Sequence, residues 1–291
     1  MDAAPKYRKL TKSDIPGAQL LREFAKWNQT DTDWENLLAL EPNGCFAAEM
    51  DGKIVGTATS TRFIPNSGPR SFGWIGMVLV HPDYRRHGIG STLLKQCIAY
   101  LKDSGVQTVK LDATPMGRLV YEKLGFVAEY ELERWEGVAK FEVRSPKCEV
   151  APMGESDLAD VGEYDTPIFG AQRETLISLW RKALPEGALV ARLGGKVVGY
   201  TLARGGMNFD QIGPVIGDDQ AICEALFARA IHAIGPKKII VDVVSSQAWT
   251  IELAKKAGLT HQRPFLRMAF GPNSSPGKPV KTFAICCPEL G

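Results

Sequence analysis

The sequence predicts an α+β protein built from two tandem domains of one kind, each a mainly antiparallel central sheet flanked by helices. Three observations predict it. Segments recur along the chain at a fixed spacing. Within each copy the apolar residues switch between the helical period and the runs expected of strands. The length of 291 residues also exceeds the ~100–150 usual for one domain.

Ser13-Asp14-Ile15 opens an apolar pattern of helical spacing (Ile15, Ala18, Leu20, Leu21, Phe24), and Ser156-Asp157-Leu158 opens a similar one (Leu158, Val161) 143 residues later. In each, Ser is read as the N-cap and Asp as a carboxylate favoured at the positive helix end. At the same offset, Phe46–Thr57 (FAAEMDGKIVGT) matches Leu189–Tyr200 (LVARLGGKVVGY). Both read as hairpins, because Asp51-Gly52 and Gly194-Gly195 are two-residue turn signals between apolar runs. Two segments sharing one offset argue for duplication.

Ile75–Val80 is too short for a core helix and β-branched enough for a buried strand. It leads to an amphipathic helix with Leu93, Leu94, Cys97, Ile98 and Leu101 inward. Val109–Asp112 then matches Ile239–Asp242, and Leu124-Gly125-Phe126 matches Ala257-Gly258-Leu259, at offsets of 130 and 133. The second copy is therefore shorter in its middle. Each copy reads helix, hairpin, long strand, helix, strand, helix, strand. The join is placed near Trp135–Val150, with Gly137 and Ser145-Pro146 as breakers, giving domains 1–140 and 146–291. Asn273–Pro279 reads as a loop and Val280–Cys287 as a last strand.

A hydrophobic share of 44% and a charged share of 23% support real cores. The net charge of +2 provides no global field to recruit nucleic acid or an anionic membrane, so any anion must be gripped locally. No run approaches the ~18–20 apolar residues of a membrane span. Met1–Lys12 is polar and basic, unlike a secretory signal. The six cysteines form no C-x-x-C pair and only four histidines are present, which points to reduced thiols, a cytoplasmic location and no metal site. Adjacent Cys286 and Cys287 read as apolar strand positions rather than a redox pair.

The chemistry concentrates in Trp74–Leu101. After the strand, His81-Pro82-Asp83 breaks the run, and Arg85-Arg86-His87-Gly88-Ile89-Gly90 forms a glycine-containing loop that feeds the helix. Free amides at a helix start, with the helix dipole, suit a phosphate or pyrophosphate. Gly88 and Gly90 let the backbone approach a ligand, and Arg85 and Arg86 add charge-assisted bonds. On this pattern alone, a phosphate site and a plain strand-to-helix turn are about equally supported. A P-loop is excluded because no Gly-Lys-Ser/Thr follows. The dinucleotide fingerprint is incomplete, because Leu93 stands at its third glycine.

Val80-His81-Pro82 followed by Arg85-Arg86-His87-Gly88-Ile89-Gly90 resembles the acetyl-CoA motif of the GNAT superfamily, R/Q-x-x-G-x-G/A after a V-x-P strand end. Thr114–Phe126 (TPMGRLVYEKLGF) resembles the later family segment N-x-x-A-x-x-x-Y-x-x-x-G-F, with Tyr121, Gly125 and Phe126 in place. The resemblance implies two tandem GNAT-like domains. It implies that Val78, Leu79 and Val80 pair through their backbones with the pantetheine arm of acetyl-CoA, and that Arg85, Arg86, His87, Gly88, Ile89, Gly90 and Ser91 hold the pyrophosphate. It also implies that Tyr121 protonates the departing thiolate. Thr114 stands where the family often has Asn, and Gly117 where it often has Ala, so a cofactor contact from Thr114 is an expectation only. Without the family, a core aromatic would be the simpler account of Tyr121. The acid role is chemically sound, since a phenol near ~10 keeps its proton at neutral pH.

A lysine-like acceptor amine must lose its proton at a cost of ~4–5 kcal/mol at pH 7. Glu49 and Asp112 are the candidate carboxylates for drawing or deprotonating it, although a carboxylate beside a hairpin turn is ordinarily just solvated. His81 and His87 are assigned no such role. Trp27, Trp34, Phe72 and Trp74 could wall an acceptor pocket, but core packing is their more ordinary use. In the second copy the loop becomes Gly217-Asp218-Asp219-Gln220-Ala221-Ile222, with carboxylates where an anion would go, and Ala254 takes the tyrosine position. That copy reads as degenerate and architectural, its Arg204-Gly205-Gly206-Met207 loop covering the acceptor groove. The expected activity is transfer of acetyl from acetyl-CoA to a small-molecule or peptide primary amine by direct attack. A non-catalytic CoA-thioester sensor or scaffold is the alternative, and a nucleotide-binding domain a third. A homodimer stays open.

Overall fold

The structure, a computed structural model, describes residues 4–64, 72–141, 148–272 and 276–291. The first copy runs β1 (Lys6–Lys9), α1 (Ile15–Ala25), α2 (Asp31–Leu40), β2 (Cys45–Met50), β3 (Lys53–Phe63), β4 (Phe72–Val80), α3 (Ile89–Asp103), β5 (Thr108–Ala113), α4 (Pro115–Lys123) and β6 (Val127–Val138). The second repeats the order as β7 (Glu149–Pro152), α5 (Leu158–Phe169), α6 (Glu174–Ala183), β8 (Leu189–Leu193), β9 (Lys196–Arg204), β10 (Asp210–Gly217), α7 (Gln220–Ile234), β11 (Lys238–Val243), α8 (Ala248–Lys256) and β12 (Thr260–Phe270). It then adds β13 (Thr282–Ala284). The duplication is thus present element by element, with β1, β7, α2 and α6 beyond what the hydrophobic pattern revealed.

Three local expectations are corrected. Neither Ser13 nor Ser156 is the cap before its helix, α1 or α5. A 3₁₀ turn precedes the helix, and Asp14 reaches back to the Thr11 amide at 2.8 Å, as Asp157 reaches back to the Gly154 amide at 2.7 Å. The repeated device is therefore the aspartate, which satisfies an orphan donor three residues upstream. Gly137 does not end a strand, because β6 continues through it, while Ser145-Pro146 lies outside the described residues. Of Val280–Cys287, only Thr282–Ala284 is strand.

The thirteen strands among the described residues form one sheet in the order β1-β2-β3-β4-β5-β12-β6-β11-β13-β10-β9-β8-β7. At its centre the copies exchange strands. β12 of the second copy lies between β5 and β6 of the first, and β6 lies between β12 and β11, each paired antiparallel on both sides. Most pairings are antiparallel, but β4–β5 and β10–β11 are parallel. Alternation along the strands sends residues to opposite faces. Phe72 and Trp74 join a core made with α1, α2, α5 and α6, in which Trp34 and Leu37 of the first copy share a cluster with Leu176 and Trp180 of the second. Ile75 faces the other way, toward Leu93, Leu94 and Cys97 of α3, and α7 covers the corresponding face of the second copy. The two halves thus share both a sheet and a core.

Candidate active site

Strand β4 pairs with β3 over its whole length but with β5 only through Phe72, Gly73 and Trp74. Beyond Trp74 the two parallel strands part. A β-bulge widens the split: Leu79 faces Thr57 and Gly76 faces Thr59, so Met77 and Val78 share one opposing residue. Met77 has φ of 50°, and its carbonyl accepts from the Thr57 hydroxyl at 2.9 Å. Among the described residues, the β4 backbone from 75 to 80 has no strand partner on the β5 side. That edge can receive an extended ligand as a pseudo-strand.

The edge leads directly to the start of α3. Gly88 is the N-cap, in the left-handed region at φ 78°, and no side chain caps the helix. Arg86 is also left-handed, at φ 68°. Left-handed residues two positions apart curl the loop so that its amides converge, and the uncapped first turn adds its own free N–H groups. Arg85 folds back to the Val80 carbonyl at 3.1 Å, while Arg86 is exposed. The chemistry of this concavity fits a diphosphate.

These elements open onto a cleft of about 730 Å³. Val78, Leu79, Val80, Arg85, Arg86, Gly88, Ile89, Gly90, Ser91, Thr114 and Tyr121 all line it. His87 does not; it is exposed outside the wall. The Thr114 hydroxyl caps α4 by accepting from the Gly117 amide at 3.3 Å, which is the backbone alternative open to it. Tyr121 is half-buried, and withdrawal from water pushes its phenol up to about 12. Gly117, a departure from the family pattern, is explained by this ring. A Cβ there would lie 2.8 Å from Tyr121 Cε2, so the missing side chain makes room for the tyrosine one helical turn away.

The base candidates separate. Glu49 pairs with Arg8 at 2.7 Å and is not in the cleft wall. Asp112 is in the wall but held by both arms of Arg267 at 2.9 Å. His81 closes a turn by accepting from the Asp83 amide and stacks edge-on against Phe24 at 4.7 Å. Of the four aromatics, Trp27 lines the cleft, whereas Trp34, Phe72 and Trp74 are at most 1% exposed in the core.

Sequence reasoning missed the far wall. Arg134 on β6, Arg263 and Phe265 on β12, and Pro288-Glu289 near the C-terminal end all line the cleft. Their presence follows from the strand exchange. The Trp74 indole donates to the Pro288 carbonyl at 3.0 Å, which seats this segment beside β4. Below it, Arg204 joins Asp33 of α2 at 2.7 Å, Gln211 at 2.9 Å and Glu289 at 3.1 Å, and Gln211 donates on to Asp242, the partner of Arg134. The loop after Arg204 instead docks on the α1–α2 connection, with the Met207 amide on the Asn28 carbonyl at 2.9 Å. It braces that wall from behind.

The second copy closes every one of these openings. β10 and β11 pair at Asp210 and Gln211 and then part around a matching bulge, but β13 enters the gap and pairs with both strands. Asp219 caps α7, accepting from the Ile222 amide at 2.9 Å. The connecting loop has vanished. The His81 and Asp218 amides donate to equivalent carbonyls, those of Val55 and Val198; six residues separate His81 from the cap Gly88, whereas the cap Asp219 directly follows Asp218.

Comparison with known proteins agrees with this geometry. The Acetyltransferase (GNAT) family model matches residues 16–126, and the Acetyltransferase (GNAT) domain model matches 161–284. A holothin acyltransferase from Pseudoalteromonas sp. is 25% identical over 277 residues, covering 94% of this chain and 91% of its own. The N-acetyltransferase YitH of Bacillus subtilis, itself uncharacterised, is 26% identical over 57% of this chain and 58% of its own. A crystal structure from Pyrococcus horikoshii, named provisionally as an acetyltransferase, shares the fold with a TM-score of 0.80 at 21% identity, covering 100% of this chain and 97% of that one. A GCN5-related N-acetyltransferase from Sphaerobacter thermophilus does so at a TM-score of 0.64 and 17% identity, over 92% and 95% of the two chains. No helix among the described residues is long and apolar enough to cross a membrane. With a GNAT model matched in each half, the chain is a tandem member of the GNAT N-acetyltransferase superfamily.

Proposed function

We propose that the first copy, within residues 1–140, transfers an acetyl group from acetyl-CoA to a primary amine by direct attack, and that the second, within 146–291, is a degenerate domain that holds no CoA. The observation that carries this reading is the contrast between the copies. One has an open β4 edge running into an uncapped helix start, and the other has the same gap filled by β13 and the same helix capped by Asp219.

Acetyl-CoA, the donor substrate, supplies an activated acyl carbon. The chain's residues bind and orient it: the backbone of Val78–Val80 pairs with its extended arm, and the Arg86–Ser91 amides with Arg85 and Arg86 take its diphosphate. The amine nitrogen bonds to the carbonyl carbon, the C–S bond breaks, and Tyr121 gives its proton to the departing sulfur. The proton released by the new amide nitrogen restores the phenol, so the exchange balances without a metal or a covalent enzyme intermediate. The far wall is the place for the acceptor. All six cysteines are free, in keeping with a cytoplasmic setting.

Calorimetric titration with CoA, followed by CoA release measured across a panel of primary amines, tests the proposal. One CoA per chain, amine-dependent release and weakened binding in Arg86→Glu are expected. Two CoA per chain would refute the degenerate second copy. Tight CoA binding with no transfer to any amine would make the protein a thioester sensor instead.

A further inference from the structure

The cleft wall divides into two parts. The donor would use the β4 edge, the 85–91 loop and the start of α4. What remains comes from the end of α1 with its following loop, from β6 and β12, and from Pro288-Glu289. β12 lies two strands across the sheet from β4. This second part has no duty toward the donor, so its chemistry describes the acceptor.

Its charges are not all balanced. Arg134 is held by both oxygens of Asp242 at 2.7 and 2.8 Å, Asp112 by Arg267, and Glu289 by Arg204. Arg263 stands apart. It lines the cleft, its buried Nε has no hydrogen-bond partner, and among the described residues it forms no ion pair. Its guanidinium lies over the Phe265 ring, 5.2 Å from the centroid, and Asp242 and Glu136 attract it only from beyond ion-pair distance. Burial and repulsion from Arg134 outweigh the attraction of Asp242 and Glu136 and pull the guanidinium down to about 10, which still leaves it cationic at neutral pH. A partly buried cation beside a second arginine, with no carboxylate within ion-pair distance among the described residues, is an arrangement that a ligand anion would relieve. Glu289 supplies the opposite sign nearby, packed against Gly76 next to the β4 bulge, with one oxygen on Arg204. Gln29 adds a buried side-chain oxygen that has no partner among the described residues and also lines the cleft.

Resting on the acetyl-transfer reading above, we propose that the acceptor is an amine that also carries an anionic group, a carboxylate or a phosphate, and that Arg263 binds that group. Arg263 is then a specificity residue that fixes the far end of the acceptor while the amine faces the thioester. A charge-assisted bond of this kind changes acceptor affinity by roughly 10–100-fold.

The test uses matched pairs of small linear amines with and without a terminal carboxylate (4-aminobutyrate against butylamine, and its homologues), together with aminoalkyl phosphates. These are assayed on the full chain and on Arg263→Met and Arg263→Lys, with CoA affinity measured on each protein. The anionic amines should have KM values at least tenfold below their neutral partners. Arg263→Met should abolish that gap, leaving CoA affinity and the neutral-amine rate within twofold, and Arg263→Lys should restore part of it. The ranking of carboxylate against phosphate identifies the anion. Equal use of charged and neutral amines, a preference for the neutral ones, or loss of CoA affinity in Arg263→Met would overturn the proposal. Absence of CoA binding in the unaltered protein would instead remove the acetyl-transfer reading beneath it.

Discussion

Removing a single oxygen, Tyr121→Phe, tests the chemistry most directly. Burial pushes the phenol up to about 12, whereas a free thiol titrates near ~8.5. At pH 8 only about one phenol in 10⁴ is ionised, so the acid is fully loaded. Its proton then passes to a departing thiolate across a gap of roughly 3.5 units, unfavourable by about 5 kcal/mol even when sulfur carries its full negative charge and by more before the C–S bond stretches, so the transfer comes late. A positioned acid of this type contributes ~10²–10⁴-fold, or about 3–5 kcal/mol of barrier. Steady-state CoA release at saturating amine should therefore show kcat reduced by that factor, with CoA affinity within twofold. Packing should survive, because the phenol oxygen has no protein hydrogen-bond partner among the described residues.

Two further readouts separate an acid from a packing aromatic. A donor with a more acidic thiol needs less protonation, so the deficit of Tyr121→Phe should shrink with such donors. A raised pKa keeps the proton on the phenol to higher pH, so the wild-type kcat should show no alkaline fall from this group below about pH 11. A Tyr121→Phe kcat within threefold of wild type would refute the reasoning. So would an alkaline limb near pH 9 that the substitution abolishes.

Gly88→Ala places a side chain at φ 78°, which costs about 1–2 kcal/mol although no atom lies within 4 Å of the new Cβ. CoA affinity should fall about tenfold with a loss of only a few degrees in Tm, and unchanged affinity would sink the loop's role. Arg204→Met leaves a buried Glu289 and a partly buried Asp33 without their cation, and denaturant titration should report a loss of about 3–5 kcal/mol; a loss below 1 would show that the cluster is not coupled to folding. Arg8, with help from the Thr11 amide and hydroxyl, holds the Asp14 carboxyl down at about 2, below its usual 3.8. Its stabilisation is fully present above about pH 5 and is lost as pH falls through 4 toward 2. Asp14→Asn should therefore cost up to about 2 kcal/mol at pH 7 and nothing near pH 1, and a deficit independent of pH would exclude the ion pair as its source.

The legible parts of the sequence were those with a strong local code. Asp51-Gly52 and Gly194-Gly195 adopt the left-handed pairs that tight hairpins require, and so announce themselves. The Val80–Gly90 stretch was readable as strand end, glycine loop and helix start because those features use consecutive residues. β1 and β7, at four residues each, are too short for alternation to register. In α2 a capping box at Thr30 and Asp33 was present, but the apolar stripe of Trp34, Leu37 and Leu38 is brief. No local signal could show that β12 would leave its own copy to lie beside β5. That choice depends on a partner more than a hundred residues away, and both partners read simply as buried strands. Arg134, Arg263 and Glu289 went unseen for the same reason: each becomes part of a site only after the exchange.

The exchange also explains why a copy without an open site stays attached to one that has it. β5 needs β12 for one edge, and β6 needs β12 and β11 for both of its own, so the first copy alone would leave long unpaired edges. The C-terminal segment serves both halves in turn. Thr282–Ala284 fills the β10–β11 gap, and a few residues later Pro288-Glu289 emerges beside the bulge of β4 and becomes cleft wall. Filling the second gap is therefore what carries the chain to the first one. An open second site would need β13 elsewhere, and Glu289 would lose its place with it. Closure of one copy and completion of the other are a single structural event.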